Sequence, residues 1–420
     1  LGHDWQSRID AKKGALSRVG TEVEWDGPSV FKTEAQVFLL NVGGGKLSGR
    51  VEVKREPIDQ VELRISGTVY YLGGLVKEAT IPFHKSDLTG NVNIVHRGLR
   101  IEIEKDNYHF SADIHLEDKG DDGTGTERPV GAVLLFTIVF PENYKSYNIL
   151  SLTTDPSEDE ILDILFLQRL NIEFSSVDLQ ATKGEVQVKE TIITQSIITR
   201  SLLRTTIQVK PALGKALRVD SITTNKPLEI NILTAPADDE HNLLMFSDKS
   251  KVILSVKPDP ESSAIRDTQP VGITIDIQAS DSIDARIELT DGVQTLKMDA
   301  KSEIGSVLTS ITENYKGDII LKSEKQEVGL FPKKGSKSVI IILQKYKNFI
   351  KAFKPLAPGK GERGSIYLES NEGNIFDLQR ADCSKDLGSQ DGDITVMVQD
   401  RRLMIWVTRR LPRILSQSEI

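Results

Sequence analysis

Six-residue phrases of one kind recur from about residue 170 to 378 of this 420-residue chain, and they restrict its fold more than any other feature. Ala181-Thr-Lys-Gly184-Glu-Val186, Thr223-Thr-Asn-Lys226-Pro-Leu228, Ser302-Glu-Ile-Gly305-Ser-Val307, Ser323-Glu-Lys-Gln326-Glu-Val328 and Ser370-Asn-Glu-Gly373-Asn-Ile375 each set a small residue before a polar turn and an aliphatic one after it. Their starts lie 42, 79, 21 and 47 residues apart, and two of those intervals fit a coil of about 21 residues. Internal repetition on that scale is the mark of a solenoid. The turn bends the backbone, the aliphatic stacks on its equivalent in the next coil, and hydrogen bonds run between coils. A β-sandwich also alternates strands and turns every 8–12 residues or so. Matching side chains at matching positions favour the stacked ladder.

The remaining text is strand-like too. Val51-Glu52-Val53 and Val61-Glu62-Leu63-Arg64-Ile65 alternate with period two, as do Asn91–Val95, Leu99–Glu104 and Tyr108–Leu116. Val133–Phe140 is a continuous apolar run, suited to a strand covered on both faces. Asp155-Pro156-Ser157-Glu158 offers a cap, a proline at the first helical position and a following glutamate, so one short amphipathic helix is expected over Pro156–Gln168. The expected organisation is a flexible segment over 1–20, an amino-terminal β unit over 21–150, solenoid repeats over 151–400, and a basic cap or tail over 401–420. Loops would project near 235–267 and 333–364. The fold class is therefore all-β: a right-handed parallel β-helix or β-solenoid with an amino-terminal β unit and one short helix.

Composition removes several functions. Acidic residues outnumber basic ones, 61 to 53, for a net charge of -8, which argues against a general nucleic-acid binder needing a concentrated positive face. The single cysteine, Cys383, rules out an internal disulfide and any multi-cysteine metal site. No stretch is apolar for the roughly 20 residues that a membrane-spanning helix takes. No secretory signal is visible, although the chain begins at Leu1 and an upstream signal or anchor is compatible with that start. The absence of an Asn-x-Ser/Thr acceptor disfavours a glycosylated secreted protein. No nucleophile elbow, phosphate loop or His-Glu-x-x-His occurs, and Gly43-Gly44-Gly45 lacks dinucleotide spacing.

Val219-Asp-Ser-Ile-Thr-Thr-Asn-Lys-Pro-Leu-Glu-Ile-Asn-Ile232 resembles the recurrent T-S-N-A/G-P-I strand-turn-strand phrase of fungal adhesin-like β-solenoid proteins, similar in style to bacterial autotransporter-head adhesin domains. Ser302-Glu-Ile-Gly-Ser-Val307, with Tyr315-Lys-Gly317 and Leu321-Lys-Ser323, looks like the second module of that group. The resemblance covers about 170–235 and 285–378. It departs at Lys226, Gln326 and Glu372, where the group favours Ala or Gly. It implies a right-handed parallel β-helix, a cell-surface or extracellular location and an adhesive or structural role, with no catalytic residues or cofactors to carry over.

Candidate contacts are the turn side chains Lys183, Thr224, Asn225, Lys226, Lys325 and Asn371, spaced for weak multivalent binding to a cell-surface protein or glycan. His109, Asp113 and His115 share the polar side of one strand and could contribute to a metal site. The plainer meaning is the wet face of an amphipathic strand. The acidic loop 117–127 lacks the ordered oxygen spacing of a calcium site and reads as solvated loop. Arg401, Arg402, Arg409, Arg410 and Arg413 interleave with apolar residues around Trp406, which suits either a cap or peripheral contact with an anionic membrane, and Pro412 favours the cap. Self-association through open coil ends is a further expectation. A non-enzymatic adhesin-like role is expected. The alternative is a carbohydrate-active enzyme, a polysaccharide lyase or hydrolase, which requires carboxylates and a basic partner converging in a groove.

Overall fold

A computed structural model of the chain describes residues 2–19, 21–24, 29–72, 91–96, 98–117, 128–157, 159–235, 237–260, 272–289, 295–312, 315–331, 340–355, 364–380, 394–399 and 402–407. These residues are almost entirely β, in a large and mostly parallel sheet. Two series of parallel strands make it up. The first runs, in spatial order, His109–Leu116, Val37–Gly44, Ser146–Pro156, Glu173–Ala181, Ile192–Ser201, Arg218–Thr223, His241–Ser247, Ile273–Ala279, Leu296–Ser302, Gly364–Ser370, Gly317–Ser323. The second runs Arg128–Pro141, Leu47–Glu56, Leu162–Phe166, Val186–Val188, Thr205–Lys210, Leu228–Thr234, Val252–Pro258, Ile283–Ile287, Val307–Thr312, Ile375–Arg380, Val328–Phe331. Through both series the chain places one strand in the first and the next in the second. A short parallel stretch, Ile192–Ile193 beside Val209–Lys210, joins them.

Alternation decides which side chains face inward. In Arg218–Thr223, Val219, Ser221 and Thr223 are buried while Arg218, Asp220 and Ile222 face outward. The same period in neighbouring strands gathers the inward aliphatics into one core, from Phe31 to Ile375.

Register brings the residues that head the turns into line. Ala181, Ser201, Thr223, Ser247, Ala279, Ser302, Ser370 and Ser323 pair in succession along the first series. Across the turn, Val186, Thr205, Leu228, Val252, Ile283, Val307, Ile375 and Val328 pair in succession along the second. The 42-residue interval covers two strand steps of the first series, because Ser201 stands between Ala181 and Thr223. The 79-residue interval covers three, because Ser247 and Ala279 intervene.

Strand order departs from sequence order at both ends of the sheet. Ser146–Pro156 adds to Val37–Gly44 rather than to the preceding His109–Leu116, and Gly364–Ser370 with Ile375–Arg380 lies between strand pairs that are consecutive in the chain. Antiparallel strands then close the ends. Val61–Leu72 lies on Arg128–Pro141 and carries Thr21–Glu24 and Ser29–Thr33 on its outer edge. Leu99–Lys105 lies on His109–Leu116, followed by Val92–His96. At the far end Phe349–Lys354 covers Gly317–Ser323, and Ile341–Tyr346 pairs with Phe349–Lys354.

Several expectations are corrected. The described residues of 156–168 are not helical: Ser146–Pro156 is a strand on Val37–Gly44, and Leu162–Phe166 is buried at every position between Leu47–Glu56 and Val186–Val188. A five-residue run buried on both faces outweighs a cap signal. The helix is instead Gly2–Leu16, within the segment expected to be flexible, and Ile9 and Leu16 pack it on Tyr70 and Val133. The intervals 235–267 and 333–364 contain the strands His241–Ser247, Val252–Pro258, Ile341–Tyr346 and Phe349–Lys354. Near the carboxy terminus Ile394–Gln399 and Arg402–Val407 pair with one another. Residues 118–127, 381–393 with Cys383, 401 and 408–420 lie outside the described set. No described helix is long and apolar enough to cross a membrane.

Candidate functional site

The outward positions of the first series make a broad face on which polar and aromatic side chains fall into rows. Register sets Phe246, Gln278, Lys301, Glu369 and Lys322 in one row and Leu244, Asp276, Asp299, Tyr367 and Ile320 in the next. Adjacent members of a row are about 4.8 Å apart along the hydrogen-bonding direction. Leu244 is 45% and Phe246 38% exposed, in positions where water would favour a polar side chain.

Charges in these rows are engaged with one another. Lys301 Nζ lies 3.0 Å from Asp299 Oδ2 and 5.7 Å from the centroid of the Tyr367 ring. The hydroxyl of Tyr367 donates to Glu369 Oε2 at 3.1 Å, and Lys322 Nζ donates to Glu369 Oε1 at 2.5 Å. The Lys322 hydrogen bond holds the Glu369 carboxyl below its ordinary range. Asp299 in turn holds Lys301 above its ordinary range, and burial with Glu369 raises the Tyr367 phenol. Glu369 is thus fixed as an anionic acceptor, which is the opposite of what a general acid requires. The strip offers one flat aromatic ring, a second exposed aromatic at Phe246, and amide, carboxylate and ammonium groups at sheet spacing. Such a set can stack on an apolar ring face and hydrogen-bond to hydroxyls around it.

The sequence-derived turn residues lie elsewhere, on the edge joining the two series. Successive turns are stitched by backbone hydrogen bonds, Asn225 N to Leu202 O at 2.8 Å, Lys249 N to Thr224 O at 2.9 Å and Ile304 N to Ser280 O at 2.9 Å among them. Asn225, Lys226, Lys325 and Asn371 are exposed, and Lys183 and Thr224 are half-buried. Lys183 and Lys325 stand at opposite ends of this line, seven strand spacings or about 34 Å apart. The six residues therefore form a line rather than a pocket. Lys325 is already engaged, donating to Glu372 Oε1 at 2.6 Å.

Of the metal candidates, Asp113 and His115 face the same side of His109–Leu116 and are in direct contact, with Asn41 Nδ2 3.5 Å from the other Asp113 oxygen. His109 turns to Asp106, 3.5 Å away, instead of joining them. Among the described residues no cluster of three His, Cys, Asp or Glu side chains could hold an ion.

Sequence reasoning missed the acidic groups under the amino-terminal helix. Asp163, 1% exposed, accepts from Glu185 N at 2.9 Å and pairs with Arg8 at 3.5 Å. Burial nevertheless pushes its carboxyl up to about 6. Glu160 is buried between Lys12 and the Ser48 hydroxyl. A cavity of about 380 Å³ opens beside these residues, lined by Arg8, Ile9, Lys12, Ser48 and Ile161. No signal in the sequence shows that residues 8 and 12 meet residues 160 and 163, since only the fold brings them together.

No family model matches the chain, and no curated protein matches it. Two solved structures are similar at low identity. One is a candidate cell adhesion protein from Clostridium sporogenes, 10% identical, matched over 86% of this chain and 100% of its own, with a TM-score of 0.17. The other is a candidate adhesin from Bacteroides fragilis, 11% identical, matched over 85% of this chain and 97% of its own, with a TM-score of 0.26. Likeness at these scores carries no argument about function, and neither structure speaks for a fungal origin or for the T-S-N-A/G-P-I phrase.

Proposed function

We propose that the chain is a non-enzymatic, adhesin-like binding protein built as a right-handed parallel β-solenoid, and that it holds glycan on the outer face of its first strand series. The handedness follows from the strong preference of parallel crossovers for the right hand. The observation that carries the binding reading is the strip formed by Phe246, Gln278, Asp299, Lys301 and Tyr367, where two aromatics lie among polar groups on consecutive strands. Rigid strands hold these side chains without further ordering, which lowers the entropic cost of binding. Repetition along the face suits a polymeric ligand, and the turn residues Lys183, Thr224, Asn225, Lys226, Lys325 and Asn371 supply further weak contacts at the edge.

A glycan array with the intact chain tests this reading, followed by Tyr367→Ala and Phe246→Ala. Loss of one stacking ring weakens binding by about tenfold, as expected for roughly 1–2 kcal/mol. Absence of any glycan signal, or variants that bind as strongly as the parent, overturns it. A second reading has its own support, because Asp276, Asp299, Glu369 and Lys301 occupy three neighbouring strands as a carbohydrate-active enzyme would need. Release of reducing ends from plant or fungal polysaccharides, abolished by Asp299→Asn, would replace the first reading with this one.

A further inference from the structure

Among the described residues, the far end of the sheet carries a lysine-rich hairpin with uncovered aliphatics. Between Glu327 and Glu362, residues 328–361 contain eight lysines and no acidic residue, in a protein of net charge -8. The hairpin of Ile341–Tyr346 and Phe349–Lys354 lies in this stretch and forms the outermost pair of the first series. Every residue of Ile341–Tyr346 is exposed. Ile342 is 48%, Leu343 54% and Tyr346 65% exposed, and Lys345, Lys347 and Lys351 are exposed beside them. No described strand pairs with the outer edge of Ile341–Tyr346.

We propose that this hairpin is a docking surface for an anionic phospholipid bilayer. The combination of uncovered aliphatics and clustered exposed lysines, of which Lys347 lies 3.6 Å from Glu327 Oε1, fits the interface of such a membrane, where apolar side chains enter the acyl boundary while ammonium groups meet phosphates. Tyr346 supplies an amphipathic ring at the level such rings prefer. Two features disfavour a second copy of the chain as the occupant. A bulge between Ile342 and Gln344 breaks the regular edge, and pairing of two such edges would bring their lysines together. A sulfated polysaccharide would use the lysines but would leave Ile341, Ile342 and Leu343 in water. The lipid reading accounts for both kinds of side chain.

The test is co-sedimentation of the full chain with vesicles of phosphatidylcholine alone and with about one-third phosphatidylserine, at low and physiological salt, with sizing of the free protein. Binding is expected on the anionic vesicles, at least tenfold weaker on the neutral ones, and reduced by salt. The double variant Lys345→Glu and Lys351→Glu should lose at least tenfold, at about fivefold or more per lysine. The double variant Ile342→Ser and Leu343→Ser should lose binding although the charge is unchanged. Thermal melting of both variants should match the parent, since all four side chains are exposed. The proposal is overturned by equal binding to the two vesicle types or by variants that bind like the parent, which would move contact to another segment such as 401–420. Retention on heparin without vesicle binding, or association of free chains that the serine variant abolishes, overturns it as well.

Discussion

Ser370 shows why a small hydroxyl recurs at the start of most of these turns. Its Oγ accepts from Gly373 N at 2.8 Å and donates to Gly305 O, in the neighbouring coil, at 2.9 Å. Ser323 repeats the pattern, accepting from Gln326 N at 3.1 Å and donating to Gly373 O at 2.9 Å. Turn carbonyls that point inward are thereby satisfied without water. Ser370→Ala removes the acceptor of the buried Gly373 N, while Gly305 O keeps the Ser302 hydroxyl at 2.8 Å, and should cost about 1–3 kcal/mol in urea unfolding. Gly373→Ala should cost a similar ~1–3 kcal/mol, because its Cβ would stand 2.1 Å from Gly305 O, a backbone atom that cannot step aside. Gly14 has open space around it in the helix, so Gly14→Ala should stabilise by up to about 1 kcal/mol. The turn glycines and hydroxyls were legible in the sequence for this reason. The turns after Ser201, Ser247 and Ala279 were not, because Leu202-Leu203-Arg204 and Asp248-Lys249-Ser250 bend by backbone hydrogen bonds to the neighbouring turn and need no special side chain. His241 is a further residue that only the fold explains. It is buried, its Nδ1 accepts from Leu217 N at 3.0 Å, and its Nε2 lies 3.0 Å from Ala235 O. Burial lowers its pKa, so the folded chain keeps it neutral while the unfolded chain protonates it below about 6.5. Stability should therefore fall as pH drops from about 6.5 towards 5, and His241→Gln should reduce that slope in parallel urea titrations.

The amino-terminal helix owes its place to tertiary contacts rather than to amphipathic strength. Its apolar contribution to the contact is Ile9 and Leu16 against Tyr70 and Val133, and Arg8 and Lys12 reach over to Asp163 and Glu160. Short helices gain most of their stability from such packing, which is why the polar segment read as a loose end. The converse error arose at residues 156–168, where local cap chemistry was present but the flanking coils claimed every side chain of Leu162–Phe166. Lys12 neutralises a glutamate with 1% of its side chain exposed while keeping 25% of its own in water. Lys12→Ala should cost roughly 1–3 kcal/mol, below the ~3–5 kcal/mol seen when fully buried pairs are broken. Circular dichroism should show loss of the helical signal at a lower temperature than loss of the β signal. A single coincident transition with unchanged midpoint would show that the pair contributes nothing to the attachment.

The candidate strip and the order of the coils share one cause of illegibility: both depend on pairings between strands far apart in sequence. Tyr367 meets Asp299 and Ile320 only because Gly364–Ser370 lies between Leu296–Ser302 and Gly317–Ser323. Local sequence gives no preference for that arrangement. Ser302 and Ser323 head the same kind of turn, 21 residues apart, so their two coils could stack directly on one another with the same small residues and aliphatics in register. In the folded chain Lys301 and Lys322 both face Glu369 from opposite sides, about 9.6 Å apart at two strand spacings. A chain ending at residue 355 has no strand to insert, and direct stacking would bring positions 301 and 322 to about 4.8 Å, within the range a disulfide can bridge. With Cys383→Ser as background in the full chain, Lys301→Cys and Lys322→Cys should cross-link readily in the shortened chain and resist cross-linking in the full one. Rapid cross-linking in both would mean that the inserted coil leaves and returns easily. Absence of cross-linking in both would mean that the two consecutive coils do not pair without the third, and that the inserted strand is needed to hold the end of the ladder together.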